Sequence, residues 1–194
     1  MSYEDVRSPQ LLVFAGPNGS GKSTVTKKVH PVGLYVNADD IKKSTGCTDL
    51  EAAQVAENMR KRLLESRRDF TFETVLSTER NMKLLAQAKT SGYQIQVIFV
   101  LTKSSSINVE RVQERVKAGG HPVPEDKIVS RYKRSLQNIP VLARLVHRLL
   151  IFDNTGEAPL KMCEVVNGSA TIVESAHWTK KEIFNLLAGV ECPE

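Results

Sequence analysis

Residues 16 to 24 read Gly-Pro-Asn-Gly-Ser-Gly-Lys-Ser-Thr, with glycines, a lysine and hydroxyl residues at fixed intervals. Gly16, Gly19 and Gly21 allow tight turns that aim successive backbone N–H groups at one anion. Lys22 supplies a point charge for β- and γ-phosphates, and the Ser23 hydroxyl suits a Mg²⁺ that shares nucleotide oxygens. The segment reads as a phosphate-binding loop for ATP or GTP, with Gly16, Asn18, Gly19, Ser20, Gly21, Lys22, Ser23 and Thr24 as the nucleotide-holding set. Such a loop needs a strand before it and a helix after it. The apolar run 11–15 leads in, and a helix-compatible stretch over 22–30 follows, bringing its positive dipole end to the same spot.

In open α/β sheets, ligands gather beyond the carboxyl ends of the strands, so polar residues that follow apolar runs carry the most weight. Asp39 and Asp40 follow the run 34–37. Asp39 stands where a kinase holds a general base, which takes the proton of an acceptor hydroxyl lined up for attack. The plainer reading is that one of the two caps a helix starting near Ile41. Glu73 sits in Phe70-Thr71-Phe72-Glu73-Thr74-Val75, a run otherwise suited to burial. A carboxylate there is costly unless paired or near a metal, which points to metal-bound water or acceptor hydroxyls. An outward-facing glutamate at a strand end is its bland alternative.

Arg111 and Arg115 lie four apart and share a helix face pointing at the Gly119-Gly120 break, with Arg131 and Arg134 on the next helix. Arginines on two helices around a glycine hinge suit a lid whose guanidinium groups offset charge on a transferring phosphoryl group. Each is equally readable as solvated helix charge paired with Glu110, Glu114 or Glu125. His121 reads as an exposed loop histidine, and Tyr93 and Trp178 as packing residues.

The elements that must position these groups alternate short β-branched runs with longer helical patterns, the signature of a mainly parallel sheet flanked by helices in three layers. The spacing predicts strands over 11–15, 34–37, 70–75, 94–101 and 149–152. Helices are expected over 22–30, 50–68, 78–91 and 107–118, then around Ile128, Tyr132 and Leu136, and again over 141–148 beyond a break at Pro140. In the helix over 50–68, Ala53, Val55, Ala56, Met59, Leu63 and Leu64 are available for a buried face. Asn167-Gly168 between two β runs, 161–166 and 169–174, is a hairpin signal. A closing helix over 179–187 carries Thr179 as its cap, with Ile183, Leu186 and Leu187 facing inward. Nothing divides the chain, so residues 1–194 read as one domain, with a core over about 10–155 and a C-terminal hairpin and helix over about 160–190.

Apolar residues at 41% and charged residues at 25% are usual for a soluble globular protein. Cys47, Cys163 and Cys192 form no C-x-x-C pair, and His30, His121, His147 and His177 lie far apart, so neither a disulfide framework nor a zinc site is expected. Residues 1–10 are polar and the apolar run after them is short, which argues against a signal peptide and for the cytoplasm. A net charge of +5 admits nucleic acid as a partner. The basic clusters 60–62, 67–68 and 131–134 nevertheless lack the interleaved aromatics of a single-strand platform. Extra lysine and arginine around a polyanionic nucleotide explain the charge more simply.

Taken in order, the loop 16–24, Asn37-Ala38-Asp39-Asp40-Ile41 and Phe72-Glu73-Thr74 resemble the zeta-toxin-like P-loop kinases. So do Arg111-Val112 through Arg115-Val116, Gly119-Gly120-His121, Val123-Pro124, Arg131-Tyr132 and Arg134-Ser135-Leu136. The resemblance covers residues 10 to 155 and implies a P-loop kinase fold with an arginine-bearing lid that takes phosphate from ATP with Mg²⁺. It also implies a UDP-linked N-acetyl amino sugar as acceptor and an antitoxin protein as partner. It places Lys22 and Ser23 at the nucleotide, Asp39 as base, Glu73 as a substrate-side carboxylate and Arg115 in the lid. His121 stands where longer relatives carry a second arginine, and the C-terminal hairpin and helix do not map onto the longer toxins by sequence. An ATP-hydrolysing switch, a polynucleotide end-kinase and a nucleotide-dependent toxin component held by an antitoxin are the alternative readings.

Overall fold

The computed structural model describes residues 7–188. Cys192 and the first six residues of the polar stretch 1–10 lie outside them. Five parallel strands form one side of a seven-stranded sheet: β1 (Gln10–Ala15), β2 (Leu34–Val36), β3 (Phe70–Thr74), β4 (Gln94–Leu101) and β5 (Arg148–Asp153). Two antiparallel strands, β6 (Leu160–Val166) and β7 (Ser169–Ile172), extend it in the order β2-β3-β1-β4-β5-β6-β7. The helices are α1 (Lys22–Thr26), α2 (Ala38–Thr45), α3 (Asp49–Glu65), α4 (Glu79–Thr90), α5 (Ser105–Lys117), α6 (Glu125–Gln137), α7 (Ile139–Leu145) and α8 (Lys180–Leu187).

Leu11 to Ala15 are buried on both faces, which is why β1 reads as a continuous apolar run and not an alternating one. One face holds the main core, with Val13, Phe70, Phe72, Phe99 and Leu149 packed under the longer helices. The other holds a smaller cluster of Leu12, Phe14, Val25, Ile98, Val100 and Leu150, covered by α1 and the segment after it. β4 registers the difference. Gln94 and Gln96 alternate with Ile95 and Val97 in its first half, where a cavity of about 420 Å³ opens on the second face. That cavity lies at the amino ends of the strands, opposite the phosphate loop, and takes no part in the chemistry below.

Several element bounds differ from the sequence expectation. α1 stops after Thr26, four residues early: short-range bonds from Lys28 N to Val25 O and from Val29 N to Thr26 O tighten the chain, and Pro31 cannot continue a helix. α3 buries Ala52, Ala56, Leu63 and Leu64, whereas Ala53 and Val55 face solvent. Pro140 lies within the first turn of α7, where its missing N–H costs nothing, so α7 begins at Ile139 and β5 already includes Arg148. The hairpin falls where expected: Asn167 and Gly168 adopt φ 48 and φ 87, the pair of left-handed residues that a type I′ turn requires. Thr179 and Glu182 form a reciprocal capping box on α8. No helix among the described residues is long and apolar enough to cross a membrane.

Candidate functional site

The carboxyl ends of β1 to β5 deliver five polar segments to one edge of the sheet, and β1 and β4 lie side by side at its centre. The loop 16–21 leaves β1 there. Gly19 and Gly21 adopt φ 77 and φ 83, conformations that L side chains rarely take. Space forbids a side chain as firmly as the backbone does. A Cβ on Gly19 would stand 2.4 Å from the Asn108 carbonyl oxygen, and one on Gly21 would stand 2.0 Å from Asn154 Nδ2. α1 has only five residues, so its dipole is short.

Lys22 opens α1, with its side chain 10% exposed. Its Nζ donates to the carbonyls of Gly16 at 2.9 Å and Pro17 at 3.2 Å and stands 3.9 Å from Glu73 Oε1. Burial pulls the Lys22 ammonium below its ordinary value, the nearby Arg115 charge adds to that, and the Glu73 and Asp39 carboxylates oppose it. Glu73, Asp39 and Arg115, picked from three other stretches of sequence, therefore all act electrostatically on Lys22. Ser23 and Thr24 lie exposed in the first turn of α1, and Ser20 is fully buried, with no partner for its hydroxyl among the described residues.

Glu73 lies on β3 directly beside Phe14 of β1. It is neither sealed in nor a free surface carboxylate, since its Oε2 accepts from the Tyr35 hydroxyl at 3.2 Å. Burial and the adjacent Glu73 charge push the Tyr35 phenol up to about 12. Asn37 Nδ2 contacts the same hydroxyl at 3.5 Å. Asp39 and Asp40 both stand exposed in the first turn of α2, but neither is its cap. That role belongs to Asn37, whose Oδ1 accepts from Asp39 N at 2.9 Å, so both aspartates keep their carboxylates free of the helix end.

The arginines divide into different tasks. Arg131 on α6 reaches the phosphate loop, its Nη1 donating to Asn18 Oδ1 at 3.3 Å. Arg115 on α5 is exposed near Lys22 and donates to the His121 carbonyl at 3.0 Å, bracing the turn between α5 and α6. His121 itself is exposed. Arg111 does not point at the Gly119-Gly120 break as its spacing suggested. It donates to the carbonyls of Asn154 at 2.7 Å, Thr155 at 3.1 Å and Gly156 at 3.5 Å, securing the turn after β5. Among the described residues, Arg134 bonds only within its own helix, to the Ser130 carbonyl. α5 and α6 pack through Val109, Val112 and Ile128, and Gly119 between them takes φ 88, which gives a two-helix flap over the loop.

Asp153, a strand-end carboxylate, turns away from the loop. It is 2% exposed, accepts from Thr155 and from Ser175 Oγ at 2.8 Å, and stands 3.4 Å from His177 Nδ1. Burial works to raise its pKa, but hydrogen bonds from Thr155 and Ser175 outweigh that and hold it below the ordinary carboxylate value. The C-terminal hairpin and helix thus plug into the turn after β5. Lys103 strengthens the joint, pairing with Glu182 at 2.7 Å and lying 4.4 Å over the Trp178 ring. Tyr93 is the packing residue its sequence suggested, fully buried and donating to the Leu63 and Arg68 carbonyls. Sequence reasoning missed Tyr35 and Asn108, since a tyrosine in a strand and an asparagine in a helix carry no signal until the fold shows what they touch.

A phosphate loop after the first central strand, a mainly parallel sheet and a helical flap with arginines define a P-loop kinase-like fold. The family model for the zeta toxin matches residues 26–161, and the chain belongs to that family. An uncharacterized protein of Haemophilus influenzae is 26% identical over 133 residues, which are 66% of this chain and 95% of that protein. The crystal structure of AvrRxo1-ORF1:-ORF2 with ATP matches with a TM-score of 0.67 and 18% identity, covering 87% of this chain and 61% of that one. The PezAT toxin-antitoxin system of Streptococcus pneumoniae matches with a TM-score of 0.58 and 15% identity over 93% of this chain and 84% of that one. At these identities the structural likeness establishes the fold. This chain spans about three fifths of the AvrRxo1 chain.

Proposed function

We propose that this protein is an ATP-dependent phosphotransferase of the cytoplasm, moving the γ-phosphoryl group to a hydroxyl of a small acceptor, with a UDP-linked N-acetyl amino sugar the leading candidate. The observation that carries the reading is the convergence of Lys22, Glu73 and Asp39 beside a loop whose glycines admit no side chain. Loop N–H groups and Lys22 hold the β- and γ-phosphates, and their charge offsets the negative charge of the transferring group. Asp39, uncommitted to its helix cap, takes the acceptor proton. Glu73, oriented by Tyr35, holds an acceptor hydroxyl in line with the phosphorus. Arg115 and Arg131 on the flap neutralise the equatorial oxygens when it closes.

The donors present suit Mg²⁺. The exposed Ser23 hydroxyl is a hard oxygen ligand, and no three-residue carboxylate, histidine or cysteine cluster exists among the described residues. That is the pattern of a cation carried largely by phosphates and water. When bound, Mg²⁺ would supply charge neutralisation at the phosphates. An antitoxin protein is the expected macromolecular partner, on the strength of the family.

The test is ADP formation by purified protein with ATP and Mg²⁺, alone, with UDP-N-acetyl sugars, and with 5′-hydroxyl oligonucleotides. Stimulation by the sugar nucleotides supports the proposal. Turnover independent of any acceptor points to a hydrolytic switch, and stimulation by oligonucleotides to an end-kinase. Asp39→Asn should reduce transfer at least a hundredfold with ATP affinity little changed. Full transfer activity in that variant removes Asp39 as the base.

A further inference from the structure

Two asparagines grip the phosphate loop from behind, and both do so by its carbonyls. Asn108, fully buried on α5, donates from Nδ2 to the Asn18 carbonyl at 2.6 Å. Asn154, 6% exposed after β5, donates from Nδ2 to the Ser20 carbonyl at 2.8 Å. In a trans peptide unit the C=O and N–H point in opposite directions. A carbonyl pulled toward a buried asparagine therefore turns the following N–H the other way. Asn108 sets the Asn18–Gly19 unit and Asn154 the Ser20–Gly21 unit, so the N–H groups of Gly19 and Gly21 are aimed away from the protein interior.

Both residues are themselves held in place. The Thr102 hydroxyl donates to Asn108 Oδ1, which leaves Nδ2 facing the loop. The Asn154 backbone is held on both sides, its N–H donating to the Leu101 carbonyl at 2.8 Å and its carbonyl accepting from Arg111 at 2.7 Å. Packing removes the remaining slack, because Gly19 and Gly21 rest against these same two asparagines with no room for a Cβ.

We infer that Asn108 and Asn154 are positioning residues that pre-orient the phosphate loop for a polyphosphate, acting through its peptide planes without touching the ligand. The inference rests on the nucleotide-binding reading above. Its signature is a loss confined to the phosphates. Without the anchors, the loop must be ordered by the ligand at the moment of binding, and affinity falls by that amount.

Calorimetry with ATP, inorganic tripolyphosphate and adenosine reads this directly in the full-length protein. Asn108→Ala and Asn154→Ala should each weaken ATP and tripolyphosphate about tenfold, the scale of one lost buried hydrogen bond, and leave adenosine unchanged. Asn108→Asp keeps the shape but turns an acceptor toward the Asn18 carbonyl, and should weaken tripolyphosphate at least as much as alanine does. The asparagines lie on different elements, so a variant that fails to fold leaves the other to decide. Tripolyphosphate affinity equal to wild type in the folded variants, or a parallel loss for adenosine, overturns the positioning role alone. A wild-type protein that takes up neither ATP nor tripolyphosphate overturns the nucleotide reading with it.

Discussion

Lys22→Met separates the role of this lysine in folding from its role in binding, because the two effects should have different sizes. Methionine matches the length of the side chain without its charge. In the free protein the ammonium is largely desolvated, a cost that methionine removes. Against that gain stand two hydrogen bonds to the Gly16 and Pro17 carbonyls, worth about 1 kcal/mol each, and the attraction of Glu73 at 3.9 Å. The opposing contributions leave a net change within about 2 kcal/mol, or about 4–8 °C in Tm for a chain of this size. Binding has no such compensation. A unit charge about 4 Å from a phosphate oxygen contributes between about 1 kcal/mol in water and about 4 kcal/mol near a protein surface. ATP affinity should therefore fall about a hundredfold.

The pH dependence supplies an independent check. Lys22 titrates below 10.5 in the folded protein, so as pH rises from its folded pKa toward 10.5 the unfolded chain holds the extra proton. Stability of the nucleotide-free wild type should rise across that window, and Lys22→Met should lack the rise. Saturating ATP should flatten it in the wild type, because phosphates favour the charged ammonium. Urea denaturation from pH 7 to 10 and calorimetry with ATP measure both effects. A variant that binds ATP like wild type, or one that loses more than about 4 kcal/mol of stability, refutes the reasoning.

Further outcomes follow from the same geometry. Gly21→Ala forces a Cβ to within 2.0 Å of Asn154 Nδ2 at φ 83, and should cost at least about 2 kcal/mol by urea denaturation; an unchanged midpoint would show that the loop is loose. Arg131→Gln should lower the phosphoryl-transfer rate about a hundredfold or more, whereas Arg111→Gln, which frees three carbonyls of the turn after β5, should show first as a stability loss of about 1–3 kcal/mol. Equal behaviour of the two variants would contradict the division of tasks. At acid pH, the Glu182 carboxyl is held down to about 2, chiefly by Lys103 and then by Thr179. Its contribution is present above pH 4.5 and lost as pH falls toward about 2, so Lys103→Ala should flatten the acid limb of a urea-midpoint titration. An acid limb unchanged in that variant would rule the pair out as a tether for α8.

Local rules settle what local residues determine. The apolar run of β1, the glycine spacing after it, the Asn167-Gly168 turn and the Thr179 cap were legible because each depends on neighbours in sequence. The positions of the phosphate loop, Asp39 and Glu73 at one edge of the sheet were legible for a related reason: strand ends in a parallel sheet must face one edge. Local rules misplaced the end of α1, the inward face of α3 and the aim of Arg111, each of which depends on what packs alongside. Tyr35 gains meaning only because β2 lies next to β3, bringing its hydroxyl to Glu73 from 38 residues away. Asn108 lies 90 residues from Asn18 and Asn154 134 residues from Ser20, yet these contacts orient the loop that the motif merely announces. A motif fixes which groups are available to an anion. Only the three-dimensional packing of distant segments fixes the direction in which those groups point, because a peptide plane turns toward whatever holds its carbonyl.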